Sequence, residues 1–377
     1  MRFSDIAGHQ EAKSSLRNMV DTGRIPHAIL LAGHSGIGKF RLARAMAQYI
    51  HCSHKKDGEP CGVCPSCLQH QSINNPDLHF VYPIIKKEGA QISKDVVDIW
   101  KEYIADHSYM PPEVWNEYLK TGNSQPAIFV NESEDILFRA SLSSFQENYK
   151  IFLVWLPEKM RIEAANKLLK VVEEPFEDTI FIFVSNDASK ILPTIFSRTH
   201  RINLNPVSAD EIAAYLMHEK GVERYSAQQA ARMAEGSIGK AEILSCHPEE
   251  SRQFMDIFKE MMRNSYALRI RNLKTISEEI AAWGREKIMR FLRYTSHMMR
   301  ENFIYNLRMP DISMMSAEEE EFSKKFSPFI HEGNVECMSE EIDRAITDIE
   351  RNGNAKIVLF DLLLYIAQYI RVPRKQT

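Results

Sequence analysis

Three continuous apolar runs mark the first half of the chain, at residues 27–32, 150–155 and 179–184. Each is short, rich in β-branched and aromatic residues, and shows no polar alternation. Runs of that kind suit strands buried on both faces of a parallel sheet. Between and around them the spacing changes to that of helices, from Phe40 to Ile50 and from Ala164 to Glu174. This is the βαβ rhythm of an α/β domain. Asn205 and Pro206 break it. Ser208 followed three residues later by Glu211 then reads as a capping box that opens a helix, and Ser226 with Gln229 reads as a second one. A small helical unit is therefore expected over 206–249, closed near His247 and Pro248.

Beyond residue 250 no strand pattern remains. Ile288, Phe291, Leu292, Thr295, Met299 and Phe303 share one helical stripe, and 342–370 is also mostly helical, so 250–377 reads as an all-α domain. Its methionines, among them Met261, Met262, Met298, Met299, Met314 and Met315, suit gap-filling in a core. The acidic run Glu318–Glu321 reads as a solvated helix start or loop. Residues 85–135 fit the α/β rhythm poorly. They carry Trp100, Tyr103, Tyr109, Trp115 and Tyr118 and read as an insertion with small helices of its own, to which no chemistry is assigned.

A length of 377 residues favours two or three domains over a single core. The net charge of −4 gives no global attraction to nucleic acid, so any DNA contact must be local or supplied by partners. Charged residues occupy the place where a signal peptide needs an apolar run, and the most apolar stretch, 357–370, is too short to span a bilayer. The expected location is the cytoplasm, with no membrane partner.

The run at 27–32 leads into Gly33, Gly36, Gly38 and Lys39, the pattern G-x4-G-K of a phosphate-binding loop placed between strand and helix. In such a loop glycines let backbone N–H groups curl around phosphate, lysine adds charge, and a Ser or Thr hydroxyl ligates Mg²⁺. Phe40 stands where that hydroxyl belongs. Acidic residues at the end of a neighbouring buried strand normally complete the metal site. Here the strand at 150–155 ends in Trp155 and Leu156, with Glu158 displaced by three residues and behind a proline. Two separate losses argue against ATP hydrolysis and leave ATP binding by this chain in doubt.

Cys52, Cys61, Cys64 and Cys67 form C-x8-C-x2-C-x2-C. Four thiolates match the tetrahedral preference of Zn²⁺, and a site with four protein ligands is closed and structural. His51, His54 and His70 flank the cluster and read as surface or outer-shell groups, while Cys246 and Cys337 read as ordinary buried thiols. No Lys or Arg lies within 61–67, which weakens a reading of the cluster as a DNA-binding knuckle.

The succession of Ile6–Gln10, Gly23–His27, the glycine loop, the four cysteines, Ala165–Lys170 running into Glu173–Pro175, Ser185–Asn186 and Ser197–Thr199 resembles the bacterial DNA polymerase III clamp-loader subunits. The likeness spans about the first 245 residues apart from the insertion. It implies an AAA+ P-loop domain with a zinc module (1–205), a helical lid (206–249) and a helical collar used for oligomerisation (250–377). It further implies a ring with tau/gamma and delta subunits that opens a sliding clamp and loads it on primer-template DNA within the polymerase holoenzyme. The lost motifs group the chain with the delta-prime branch, which does not turn over ATP on its own; an active ATPase of the tau/gamma type is the alternative. Arg198, in Ser-Arg-Thr rather than Ser-Arg-Cys, matches the family's arginine finger, which acts on ATP bound by the neighbouring subunit. Gly239 stands at the sensor position where an ATPase of the family uses arginine, and Lys240 beside it reads as a surface charge.

Overall fold

In a computed structural model the chain divides into two compact units, Met1–Glu242 and Ile243–Thr377. The structure describes residues 1–373 apart from 88, 121–123, 247, 309–312, 314 and 316. His247 and Met314 thus lie outside the described residues, as does the side chain of Cys246.

The first unit is built on a parallel sheet in the order β2-β3-β4-β1-β5. The three apolar runs form its centre as β1 (Ala28–Ala32), β3 (Lys150–Trp155) and β4 (Thr179–Ser185), each buried along its whole length. Phe152, Phe181 and Phe183 stack in succession across β3 and β4. Two short strands were not apparent from the pattern: β2 (Leu78–Val81) beside β3, and β5 (His200–Asn203) beside β1. Most of β5 is exposed, as an outer strand can be.

Helices α1 (Gln10–Asp21), α2 (Lys39–His51) and α3 (Pro65–Gln71) precede β2. The expected insertion does carry small helices, α4 (Val97–Asp106) and α5 (Pro112–Tyr118), followed by α6 (Val130–Ser141). Helix α7 (Ile162–Glu173) joins β3 to β4, and the one-turn α8 (Pro193–Phe196) precedes β5. Then come α9 (Ala209–Lys220), α10 (Arg224–Met233) and α11 (Ile238–Cys246). The capping box at the start of α9 is present, with Ser208 accepting from the Glu211 amide and Glu211 accepting from the Ser208 amide. The second box is not. The N-cap of α10 is Glu223, whose carboxylate accepts from the Ser226 amide, so Ser226 lies inside the helix.

The second unit is helical: α12 (Pro248–Tyr266), α13 (Ile270–Ala281), α14 (Arg285–Asn306), α15 (Ala317–Phe326), α16 (Val335–Glu350) and α17 (Ala355–Tyr369). Met261, Met262, Met298 and Met299 are buried in its core together with Phe258, Phe291 and Ile366. The acidic run opens α15, but it is not wholly solvated, because Glu319 is buried and accepts a hydrogen bond from the Tyr294 hydroxyl. Cys337 is half-buried rather than buried. Among the described residues no helix is long and apolar enough to cross a membrane.

Candidate nucleotide loop and cysteine cluster

The loop after β1 keeps the backbone of a phosphate site. Gly33, Gly36 and Gly38 all have positive φ, at 153°, 74° and 102°. A side-chain carbon at Gly33 would lie 2.6 Å from the Leu204 carbonyl oxygen, and one at Gly36 would lie 2.3 Å from Ser237 Oγ. Glycine is required at both for steric as well as conformational reasons. Lys39 follows at the first position of α2, almost fully buried. Its ammonium donates to the His34 carbonyl, so the lysine closes on its own loop. Burial pulls its pKa down to about 7, against the opposing field of Glu158. Glu158 in turn accepts from the Asn186 amide at 2.9 Å.

Where a metal would be handled there are rings. Phe40 sits edge-on to Trp100 at 5.7 Å between centroids, and Trp155 is tilted against the same Trp100 at 5.3 Å. Trp100 also stacks on Tyr82 at 3.9 Å and meets Trp115 edge-on. The two substituted positions thus share a packing partner. Both contribute to one aromatic cluster, and the insertion supplies its central ring. Leu156, at the second acidic position, holds a left-handed backbone (φ 56°), and its amide donates to the Val184 carbonyl.

The sensor position is equally closed. The Gly239 amide donates to the Gly36 carbonyl at 2.9 Å, and a side-chain carbon at Gly239 would lie 3.2 Å from Gly36 Cα and 3.3 Å from Tyr109 Cβ. A side chain there would be crowded, and its neighbours would have to give by a few tenths of an ångström. Lys240 points away and pairs with the exposed Glu235. The space left between Gly36, Gly38, Lys39, Trp155 and Asn186 is about 10 Å³. That is room for one water, against the several hundred Å³ typical of a small-molecule site.

The four cysteines converge. Their sulfurs all lie within 4.8 Å of one another, and Cys61 Sγ is 3.9 Å from Cys67 Sγ. A tetrahedral site with metal–sulfur bonds of about 2.3 Å spaces its sulfurs by about 3.8 Å, so the set fits such an ion. Backbone amides support it: Cys61 N–H points to Cys52 Sγ at 3.2 Å and Cys64 N–H to Cys61 Sγ at 3.3 Å. Burial disfavours the Cys64 thiolate, but amide hydrogen bonds from Cys67 and Ser53 outweigh it and hold the group at about 6. Burial pushes Cys67 up to about 12. The cluster can hold a metal ion, which would draw the remaining thiols into their ionised form. His51 and His70 are not surface groups. They are buried and hydrogen-bonded to each other at 2.9 Å, and His51 reaches the Tyr149 carbonyl at 2.8 Å.

Arg198 lies away from the glycine loop, just beyond α8. It is half-exposed and tied within its own unit, to Glu173 at 2.7 Å and to the Thr194 carbonyl at 2.9 Å. A pair this exposed is worth at most about 1 kcal/mol, so it exchanges readily for a stronger anion. Glu173 is one of the acidic residues that precede Pro175, and its pairing with Arg198 had no signal in the spacing. Tyr109 and Trp100, which fill the region of the loop, were likewise not singled out; the density of rings in the insertion was their only trace.

A glycine loop between the first strand and helix of a parallel sheet, with a cysteine module after that helix, defines a P-loop protein of the α/β class. The family model described as DNA polymerase III, delta subunit matches residues 8–208, just over half of the chain, and the chain belongs to that family. It is similar to DNA polymerase III subunit gamma/tau of Mycobacterium bovis, at 30% identity over 58% of this chain and 32% of the relative. It is similar also to DNA polymerase III subunit delta' of Bacillus subtilis, at 28% identity over 62% of this chain and 58% of the relative. The chain thus spans about a third of the length of the gamma/tau relatives. A DNA polymerase III gamma subunit-related protein from Thermotoga maritima aligns over 95% of this chain and 99% of its own at 14% identity and a TM-score of 0.41, a likeness too weak to support more.

Proposed function

We propose that this chain is a non-hydrolysing, delta-prime-type subunit of a bacterial clamp loader, which helps place a sliding clamp on primed DNA for DNA polymerase III. Its partners are tau/gamma and delta subunits, the clamp, and primer-template DNA in the assembled complex. Residues 206–249 form the lid and 250–377 the collar of the ring subunit. The observation that carries this reading is the aromatic cluster that joins Phe40 and Trp155, in a member of this family, at the two places where an ATPase keeps its metal-handling groups.

In this reading Arg198 serves ATP bound by a neighbouring subunit. Its guanidinium is outside the closed loop, half-exposed, and held by Glu173, a partner it can exchange, and by the Thr194 carbonyl. Zn²⁺ is the ion assigned to Cys52, Cys61, Cys64 and Cys67, where it supplies a closed cross-link rather than chemistry. The test is a clamp loader reconstituted with Arg198→Ala. DNA- and clamp-stimulated ATPase is expected to fall, with turnover at the one site that Arg198 serves lowered by about 10³-fold or more, the usual weight of an arginine finger, while the ring still assembles. An unchanged rate in an assembled ring would remove the finger from the proposal. The gamma/tau relatives favour a second reading, a self-sufficient ATPase; steady ATP turnover by the purified chain with Mg²⁺, abolished by Lys39→Ala, would establish it.

A further inference from the structure

In P-loop proteins the phosphates lie over the loop amides, and the rest of the nucleotide lies in the crevice at the carboxyl edge of the sheet. Here a segment of the insertion already fills that place. The Tyr109 ring packs on the loop itself: a side-chain carbon at Gly38 would lie 3.2 Å from Tyr109 Cε1. The Arg41 guanidinium on α2 stands 4.9 Å from the ring centroid, a cation–π distance. On the other side Tyr109 meets the segment after β5. Its ring is edge-on to Tyr215 of α9 at 5.2 Å, and its Cβ and carbonyl oxygen press on the Gly239 position. Tyr215 is fixed in turn by a 2.7 Å hydrogen bond from its hydroxyl to Glu242.

The segment is delivered by geometry that needs a specific backbone. It leaves α4, and Met110 takes a left-handed conformation (φ 55°) before Pro111 and Pro112 start α5. The Tyr103 hydroxyl donates to the Pro111 carbonyl at 2.7 Å, and the Trp115 indole donates to the Pro83 carbonyl at 2.8 Å. Both anchors are buried, so the turn is held from behind by the aromatic cluster.

We propose that Tyr109 and Met110 are a built-in occupant of the nucleotide site, and that this occupant, in place of a nucleotide, fastens the lid helix α9 and the Ser237–Gly239 turn to the phosphate loop. The proposal rests on reading Gly33–Lys39 as a nucleotide loop. It goes beyond loss of hydrolysis, since it assigns the insertion a job and makes the lid position independent of ATP.

Hydrogen–deuterium exchange on the full chain tests it. In the wild type, exchange over 209–220 and 236–241 is expected to be slow and unaltered by millimolar ATP with Mg²⁺. Tyr109→Ala is expected to speed exchange of those two segments by at least tenfold while β1, β3 and β4 stay protected, and Tyr109→Phe is expected to match the wild type. Should Tyr109→Ala fail to fold, Tyr109→Leu keeps the bulk but loses the ring contacts and carries the same expectation. Exchange at the wild-type rate in a folded Ala or Leu variant overturns the proposal, and so does ATP-induced protection of the lid in the wild type. Neither result bears on Arg198, whose role is read in the assembled ring, so the two proposals fail separately.

Discussion

Lys39 carries its ammonium almost fully buried, and that has a thermodynamic signature. Its folded-state pKa is pulled to about 7 by burial, from an ordinary value near 10.5. Below pH 7 the group is protonated in both folded and unfolded chains, and the cost of burying the charge is fully present. As pH rises from 7 towards 10.5 the folded chain releases the proton first, so stability increases through that window. Lys39→Met removes the cost. The variant is expected to be more stable than the wild type at pH 6, with an advantage that shrinks by about 2 kcal/mol by pH 9. Urea unfolding of both proteins at the two pH values measures this, and taking the difference between them cancels titration elsewhere. An advantage that stays constant between the two pH values would mean that Lys39 is not desolvated. Arg198 shows the opposite situation, a cation left half-exposed beside an exchangeable partner.

At the scale of elements, the insertion and the sheet edge make one aromatic body. Trp100 on α4 touches both Phe40 at the start of α2 and Trp155 at the end of β3, so these positions should be energetically coupled. A double-mutant cycle with Phe40→Leu and Trp100→Leu is expected to give a coupling of about 0.5–1.5 kcal/mol in urea unfolding, the usual size for such a ring pair. A coupling near zero would mean that the two rings are neighbours without mutual support. The centre of the sheet was legible in the sequence because β1, β3 and β4 are buried on both faces and so carry uninterrupted apolar runs. Strands β2 and β5 were not, being four residues each, with His79, His200 and Arg201 among them. The cysteine cluster was legible because its ligands are close in sequence. The packing of rings around the glycine loop was not, because it depends on Trp100 and Tyr109 meeting residues some 55 or more positions away, and periodicity says nothing about such meetings.

At the scale of the whole molecule, the two units have separate interiors, one around the central sheet strands and one among α12–α17. Two interiors allow two unfolding transitions, so a single melting temperature need not describe the chain. The cysteine cluster belongs to the first unit alone, where it ties the end of α2 to α3 through Cys52 and Cys67. A bound ion that is absent from the unfolded state adds its binding free energy to the stability of the unit that holds it. Stripping the metal with a chelator, or substituting Cys64→Ser, should therefore lower the transition of residues 1–242 by 10 °C or more, on the order expected for several kcal/mol lost from a domain of this size, and leave that of 243–377 in place. Tryptophan fluorescence separates the two, since Trp100, Trp115 and Trp155 lie in the first unit and Trp283 in the second. A chelator that shifted both transitions equally would mean that the units unfold as one. A chelator that shifted neither would mean that the four sulfurs hold no ion that matters to the fold.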